Sequence, residues 1–338
     1  MRCTESPLKK GLYEQAVQKG KGCMTERTWI RELTIPADRK EEEGSLFFCD
    51  LAPELGMILI DIHSKTIPEL YPSRRFSPGS ELTFITVNYC TRGRCELELR
   101  NGEYTYLSAG EIAVDSGQAR RGNTSFYYPT GEYAGMELML LPGNHWKDIF
   151  IGTKERNPAD EIQRRSERFG RPRVVPADEG LAQALGQAEA DARRGMDREI
   201  ILLDILRFLY LLLDAPIEEE RRRDYYTQSQ VAIAKKVMEI LSADPARRYA
   251  AGELAARFGI SETSLKNYFR GVFGCGYGQY QKDMRMHMAS RLLAETEDAI
   301  GTIAQQTGFS SQSKFGKAFK DYYGITPLEY RRRERIGR

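Results

Sequence analysis

IGTIAQQTGFSSQSKFGKAFKDYYGITPLEYR, residues 300–331, decides the fold of the C-terminal third of the chain. Ile300, Ile303, Ala304 and Thr307 recur at helical spacing, and Gly308 follows as a stop that tolerates positive φ. Ser310 and Ser311 are N-cap residue types, and Phe315 and Phe319 give the next helix an i, i+4 apolar face. Gly324 and Thr326-Pro327 close the unit, because proline cannot continue a helix interior. The pattern predicts a short helix, a tight glycine turn and a second helix able to enter a major groove. Its outer positions, Ser311, Ser313, Lys314 and Lys317, all carry hydrogen-bond donors.

The same signal occurs about 50 residues earlier, in AGELAARFGISETSLKNYFRGVFG, residues 251–274. Ala255 and Gly259 lie 49 residues before Ala304 and Gly308, and Leu265, Phe269 and Gly274 lie 50 before Phe315, Phe319 and Gly324. The one-residue difference falls in the turn. A duplicated supersecondary unit follows from this repeat. Ser261, Thr263, Lys266, Asn267 and Arg270 take the outward positions of its second helix. Between the copies, Tyr280, Met284, Met288 and Leu292 at i, i+4 spacing predict one long amphipathic helix that sets the two units apart. Gly316 inside the second recognition helix is expected to weaken it by ~1 kcal/mol relative to Ala.

Charge agrees with this reading. The chain of 338 residues carries a formal charge of +2, but residues 228–338 hold 18 Lys and Arg against 11 Asp and Glu, a net of +7. Residues 1–227 are left at −5. A basic C-terminal region behind a mildly acidic one suits phosphate binding at one end only.

Two helix-turn-helix units joined by one helix resemble the AraC/XylS family of transcription regulators over about residues 228–333. The resemblance rests on Ala255, Gly259, Ser261, Leu265, Phe269 and Gly274, then on Tyr280, Arg285, Ala289 and Leu293. In the second unit it rests on Ile303-Ala304, Gly308-Phe309, Ser311, Phe315, Phe319-Lys320, Gly324, Thr326-Pro327 and Tyr330-Arg331. It implies double-stranded DNA as partner, two recognition helices in successive major grooves ~34 Å apart, and a small-molecule effector. RNA polymerase contact and activation are implied too, activation being commoner in that family.

The rest of the chain reads as an α+β multidomain protein. Residues 1–44 form an extension without clear period, with a short helix expected at Leu12 to Val17. Residues 45–175 read as an antiparallel β-barrel. The apolar runs Leu46 to Cys49 and Met57 to Ile60 belong to it, as does the β-rich stretch Glu81 to Cys90. Asn101-Gly102 signals a hairpin, TRGR at 91–94 a second turn, and further strands are expected at Gly110 to Val114, Thr124 to Tyr128 and Gly135 to Leu141. The LSAGEIAV step resembles the cupin jelly roll. Residues 176–214 read as a helical dimerisation segment, because Ile200, Leu203, Leu206 and Leu213 spread apolar surface over most faces of one helix. Such a helix is covered either within the chain or by a second subunit, and the family resemblance implies a homodimer. Asp214-Ala215-Pro216 ends it, and residues 215–227 form a charged linker before the DNA-binding domain at 228–338.

In the barrel, Phe84, Thr86, Asn88 and Cys90 share one strand face, and this mixture of aromatic and polar groups suits a ligand pocket. Arg75 is a candidate partner for an acidic ligand. An alternative is thiol-based redox sensing, with Cys90 and Cys95 facing each other across the TRGR turn. A cupin enzyme is a weaker alternative: a metal cupin needs a cluster of His and carboxylate donors, and of the three histidines, His63, His145 and His287, no two share a plausible site. No catalytic, metal or cofactor residues are therefore expected. The missing N-terminal apolar run and the shortness of the apolar stretch Ile200 to Leu213 lead to an expected cytoplasmic location without membrane contact.

Overall fold

The computed structural model describes residues 23–27, 30–35, 44–52, 55–66, 85–115, 126–141, 157–167, 171–215 and 224–336. Arg75, Phe84 and the helix expected at Leu12 to Val17 lie outside these. The chain divides into two compact units, Met1–Tyr225 and Tyr226–Arg338.

The first unit is an antiparallel sheet domain. Its strands are β1 (Cys23–Arg27), β2 (Ile30–Ile35), β3 (Gly44–Ala52), β4 (Leu55–Ile62), β5 (Ile85–Glu98), β6 (Glu103–Ser108), β7 (Glu111–Asp115), β8 (Tyr133–Leu140) and β9 (Arg173–Pro176). The hydrogen-bonded order is β1-β2-β3-β4-β8-β5-β6, with β7 paired to β5 and β9 to β7. The expected barrel is therefore corrected to an open sheet: among the described residues this order does not return on itself. Two strands, β1 and β2, also precede Ser45, where the sequence showed no β pattern.

Period-two alternation sorts the sheet into two faces. Ile85, Val87, Leu138, Leu140, Met57 and Leu59 face helices α2 (Glu179–Arg194) and α3 (Arg198–Asp214) in one apolar cluster. Cys90, Met139, Ile58, Ile60, Ala113, Tyr128 and Tyr133 form the cluster on the opposite face. Helix α1 (Pro158–Glu167) adds Ala159 and Ile162 to the first cluster.

The TRGR turn is the second correction. Residues 91–94 lie inside β5, which runs through them with a register shift between Cys90 and Arg92. Gly93 does adopt positive φ, +79°, but within a strand: a Cβ there would lie 2.1 Å from the Glu132 carbonyl oxygen. The glycine allows close approach of two strands and an irregular ladder, not a chain reversal. The extra residue also shifts parity, so Cys90 and Cys95 enter the same cluster instead of opposite faces. Asn101-Gly102 makes the expected hairpin, with the Gly102 N–H donating to the Leu99 carbonyl at 3.0 Å.

Beyond a two-residue strand at Tyr226–Thr227, the regular structure of the second unit is helical. It contains α4 (Gln228–Ala243), α5 (Ala251–Arg257), α6 (Glu262–Phe273), α7 (Tyr277–Glu295), α8 (Ile300–Gln306), α9 (Gln312–Tyr323) and α10 (Pro327–Ile336). Thr227 opens α4 with a reciprocal capping box to Gln230. No described helix is long and apolar enough to cross a membrane.

Candidate nucleic-acid interface

Both helix-turn-helix units are built from the residues that the repeat singled out. Gly259 and Gly308 occupy equivalent turns with φ of +64° and +77°. Ser261 Oγ accepts from the Ser264 N–H at 3.0 Å, and Ser311 Oγ accepts from the Lys314 N–H at 3.3 Å. These side-chain caps satisfy N–H groups that a helix start leaves unpaired. Gly274 and Gly324, each at φ +77°, end the same two helices in the left-handed conformation.

Apolar anchors fix how far each helix rotates. Leu265 and Phe269 are buried on α6, and Phe269 meets Tyr280 of α7 edge-on with ring centroids 5.3 Å apart. Phe315 and Phe319 are buried on α9 in one cluster with Met286, Ala289 and Leu293 of α7 and Ile303 and Ala304 of α8. Thr307 is buried at the end of α8, where its Oγ1 donates to the Ile303 carbonyl at 2.7 Å.

With those faces committed to the core, the opposite stripes are left to solvent. Thr263, Lys266, Asn267 and Arg270 are all exposed on α6, at i, i+3, i+4 and i+7. Ser313, Lys314 and Lys317 are exposed on α9, with Gln312 beside them. Ser261 and Ser311 are also exposed, but their oxygens are committed to capping, and the Ser261 hydroxyl shares a further hydrogen bond with the Ser264 hydroxyl at 2.9 Å. Sequence reading missed Glu262, whose carboxylate holds the Lys266 ammonium at 3.1 Å. It also missed Gln312, an amide able to read a base edge; its place just after the Ser311 cap was the available signal.

Helix α7 holds the two units together through a buried cation. Arg285 Nε donates to the Pro245 carbonyl at 3.0 Å, and its Nη2 donates to the Ala246 carbonyl at 3.2 Å. Burial holds the Arg285 guanidinium below its ordinary range. The backbone of Gly308 backs onto the same Ala246 carbonyl, so loop 244–247, α7 and the second turn meet at one point.

A family model described as a helix-turn-helix domain matches residues 254–333. An uncharacterised HTH-type transcriptional regulator of Bacillus subtilis, YisR, is 24% identical over 72% of this chain and 82% of its own length. The HTH-type transcriptional activator AarP of Providencia stuartii is 30% identical over 34% of this chain and 84% of its own length. The chain belongs to the AraC family of transcription regulators. This AraC-family chain is a DNA-binding transcription regulator whose DNA contacts lie in its helix-turn-helix domain. A solved transcriptional regulator with an AraC-type DNA-binding domain, from Chromobacterium violaceum, is 25% identical over 32% of this chain and 93% of its own, with a TM-score of 0.29. Two activators of Escherichia coli, FapR and CfaD, are spanned by this chain over 40% and 64% of their lengths.

In the sheet domain, the β5–β8 register sets Thr86 against Met139 and Asn88 against Glu137. Thr86 and Asn88 thus share a face, as the alternation required. Cys90 and Cys95 are buried, and burial pushes the Cys90 thiol up to about 12. A thiol held protonated is a poor nucleophile, which weighs against the redox reading. Among the described residues no three His, Cys, Asp or Glu are grouped to hold a metal ion.

Proposed function

We propose that this protein is a ligand-controlled transcription activator that binds its operator as a homodimer and contacts RNA polymerase there, without catalytic activity. The observation that carries it is the pair of matched, serine-capped helices with exposed stripes of Thr263, Lys266, Asn267 and Arg270 and of Ser313, Lys314 and Lys317. One domain can then read two successive major grooves, at the ~34 Å repeat of B-DNA. The sheet domain takes the cupin-like sensor role, with Thr86 and Asn88 on the ligand face.

Dimerisation is assigned to α3. Its Ile201, Ile205, Phe208 and Leu209 are buried against the sheet, whereas Leu203 is 66% exposed and Met196 and Ile200 lie beside it on the outer side. Leu206 packs against the core of its own unit, so Leu203 is the residue to change. A charge at a buried subunit contact is costly, and Leu203→Asp is expected to convert the dimer to a monomer in sedimentation equilibrium. A wild-type chain that sediments as a monomer removes the dimer.

The regulatory reading is tested by operator affinity with and without effector, in the full chain and in a fragment starting at Tyr226. Effector and operator must change each other's affinity by the same factor. The fragment is expected to bind DNA and ignore effector; a fragment that keeps the full response overturns the sensor assignment.

A further inference from the structure

The two recognition helices match position for position, except at one point where they differ in kind. Leu265 and Phe269 of α6 stand 50 residues before Phe315 and Phe319 of α9. Glu262, Lys266 and Arg270 therefore fall on the same i, i+4 row as Gln312, Gly316 and Lys320. The outer members of both rows are exposed. Lys266 is exposed too, and it ion-pairs along its row with Glu262 at 3.1 Å. At the matching place α9 has no side chain at all.

Glycine is the poorest helix former after proline, and Gly316 lies inside α9, beyond its serine-capped first turn. Packing does not call for it. Three other glycines within helices of this unit are each pressed by a neighbour. A Cβ on Gly252 would lie 2.7 Å from Glu262 Oε1, one on Gly271 2.1 Å from Tyr226 Cζ, and one on Gly301 3.1 Å from Gln312 Oε1. A Cβ on Gly316 would meet nothing within 4 Å, and φ there is not positive. Gly278 also has open space around it, but it stands in the first turn of α7 and not on a recognition helix. Helix α9 thus gives up stability at a point where neither its backbone nor its neighbours require it. What a glycine offers there is close approach of another molecule to the backbone.

We propose that Gly316 is a specificity-determining residue of the second unit: it leaves the backbone of α9 bare, so that the major-groove edge of a base pair lies directly against it, between Gln312 and Lys320. At the matching point of α6 the long side chain of Lys266 stands between helix and groove. The first unit then reads through that side chain, and the second reads at backbone contact. One carbon added at position 316 would occupy the place of the base edge. Gln312 stands one turn before the bare point, and a glutamine carboxamide that reaches a base edge pairs bidentately with adenine. This deepens the groove reading of the matched helices given above and rests on it.

The test sets stability against recognition. A duplex is enriched from a random-sequence pool by the full-length wild type. Melting temperature and duplex affinity are then measured for wild type, Gly316→Ala and Gly316→Lys. Both substitutions should raise the melting temperature or leave it unchanged, since both residues favour a helix and meet open space. Gly316→Ala should nevertheless weaken binding of the enriched duplex by about tenfold and leave a scrambled duplex unaffected. Gly316→Lys should weaken the enriched duplex further and strengthen the scrambled one, because its added charge attracts phosphate. Enrichment repeated with Gly316→Ala should change the bases preferred in one half-site only. A Gly316→Ala protein that binds the enriched duplex as tightly as wild type overturns the proposal. So does equal loss on both duplexes, which would put sugar-phosphate and not a base edge at the glycine. A lowered melting temperature for both variants would show that the fold needs the glycine, and overturns it too. A wild type that enriches no sequence removes the groove reading itself, so the two failures are distinguishable.

Discussion

The Tyr226 ring occupies the space that a side chain on Gly271 would need: a Cβ built on Gly271 would lie 2.1 Å from Tyr226 Cζ. The first residue of the helical unit is thereby seated on the first recognition helix, α6, close to its C-terminal end. Ala is favoured over Gly inside a helix by ~1 kcal/mol, whereas forcing extra volume into a filled contact costs ~1–3 kcal/mol. Gly271→Ala is therefore expected to destabilise the wild type and to stabilise a Tyr226→Ala background by ~1 kcal/mol. Urea unfolding of the four proteins in this cycle checks the change of sign; the same sign in both backgrounds would refute the seating.

Gly259 and Gly308 hold equivalent turns but are not equally replaceable. Both have positive φ, for which a non-glycine residue costs ~1–2 kcal/mol. Nothing lies within 4 Å of a Cβ on Gly259, whereas one on Gly308 would be 2.0 Å from the Ala246 carbonyl oxygen. Gly308→Ala should exceed Gly259→Ala in cost by at least ~1 kcal/mol, read as the difference between two urea midpoints at equal m. Equal losses would mean that loop 244–247 yields freely.

Lys266 must leave Glu262 to reach DNA, since the two are ion-paired at 3.1 Å on the exposed face. An exposed pair of this kind is worth at most ~1 kcal/mol, less than the ~1–3 kcal/mol of a good bidentate base contact, so exchange is favourable. Lys266→Ala is expected to weaken cognate binding by ~1–3 kcal/mol and scrambled duplex by less. Glu262→Gln should strengthen both by removing a negative charge near the phosphates. Competition binding at two salt concentrations measures this; equal loss on both duplexes from Lys266→Ala reassigns it to the backbone.

Asp204 of α3 supplies a pH dependence. Its carboxyl is pushed above the ordinary Asp range, first by burial and then by the neighbouring Asp191 of α2, against a smaller opposing effect of Arg207. Asp191 is itself buried and accepts from Gln187 Nε2 at 2.8 Å. A raised folded-state pKa means stability that is present below the unfolded value and lost as pH rises through the folded one. At neutral pH the ionised Asp204 therefore destabilises the helix pair. Asp204→Asn is expected to raise the melting temperature at pH 7.5 and leave it nearly unchanged at pH 4. A larger gain at pH 4 would contradict the sign.

The helical unit was legible because its signals are local. Serine caps, turn glycines and phenylalanines at i, i+4 act within a few residues, and each occurs twice. The sheet was legible only in part. Alternation placed Thr86 and Asn88 on one face, but Asp115 and Glu137 join them through β5–β7 and β5–β8 register, which no local pattern encodes. TRGR misled because a strand irregularity and a turn both call for glycine at positive φ. Helix α1 went unread because its one large apolar residue is Ile162. Strand β9, RVVP, has four residues, too few to show a period.

The meeting of Arg285, Pro245, Ala246 and Gly308 bears on how the protein is made. Loop 244–247 leaves the ribosome with α4, ahead of both helix-turn-helix units, yet its Pro245 and Ala246 carbonyls are met by Arg285 and the Ala246 carbonyl is backed by Gly308. The nascent chain therefore cannot finish seating this loop until Gly308, in the turn of the second helix-turn-helix unit, has emerged.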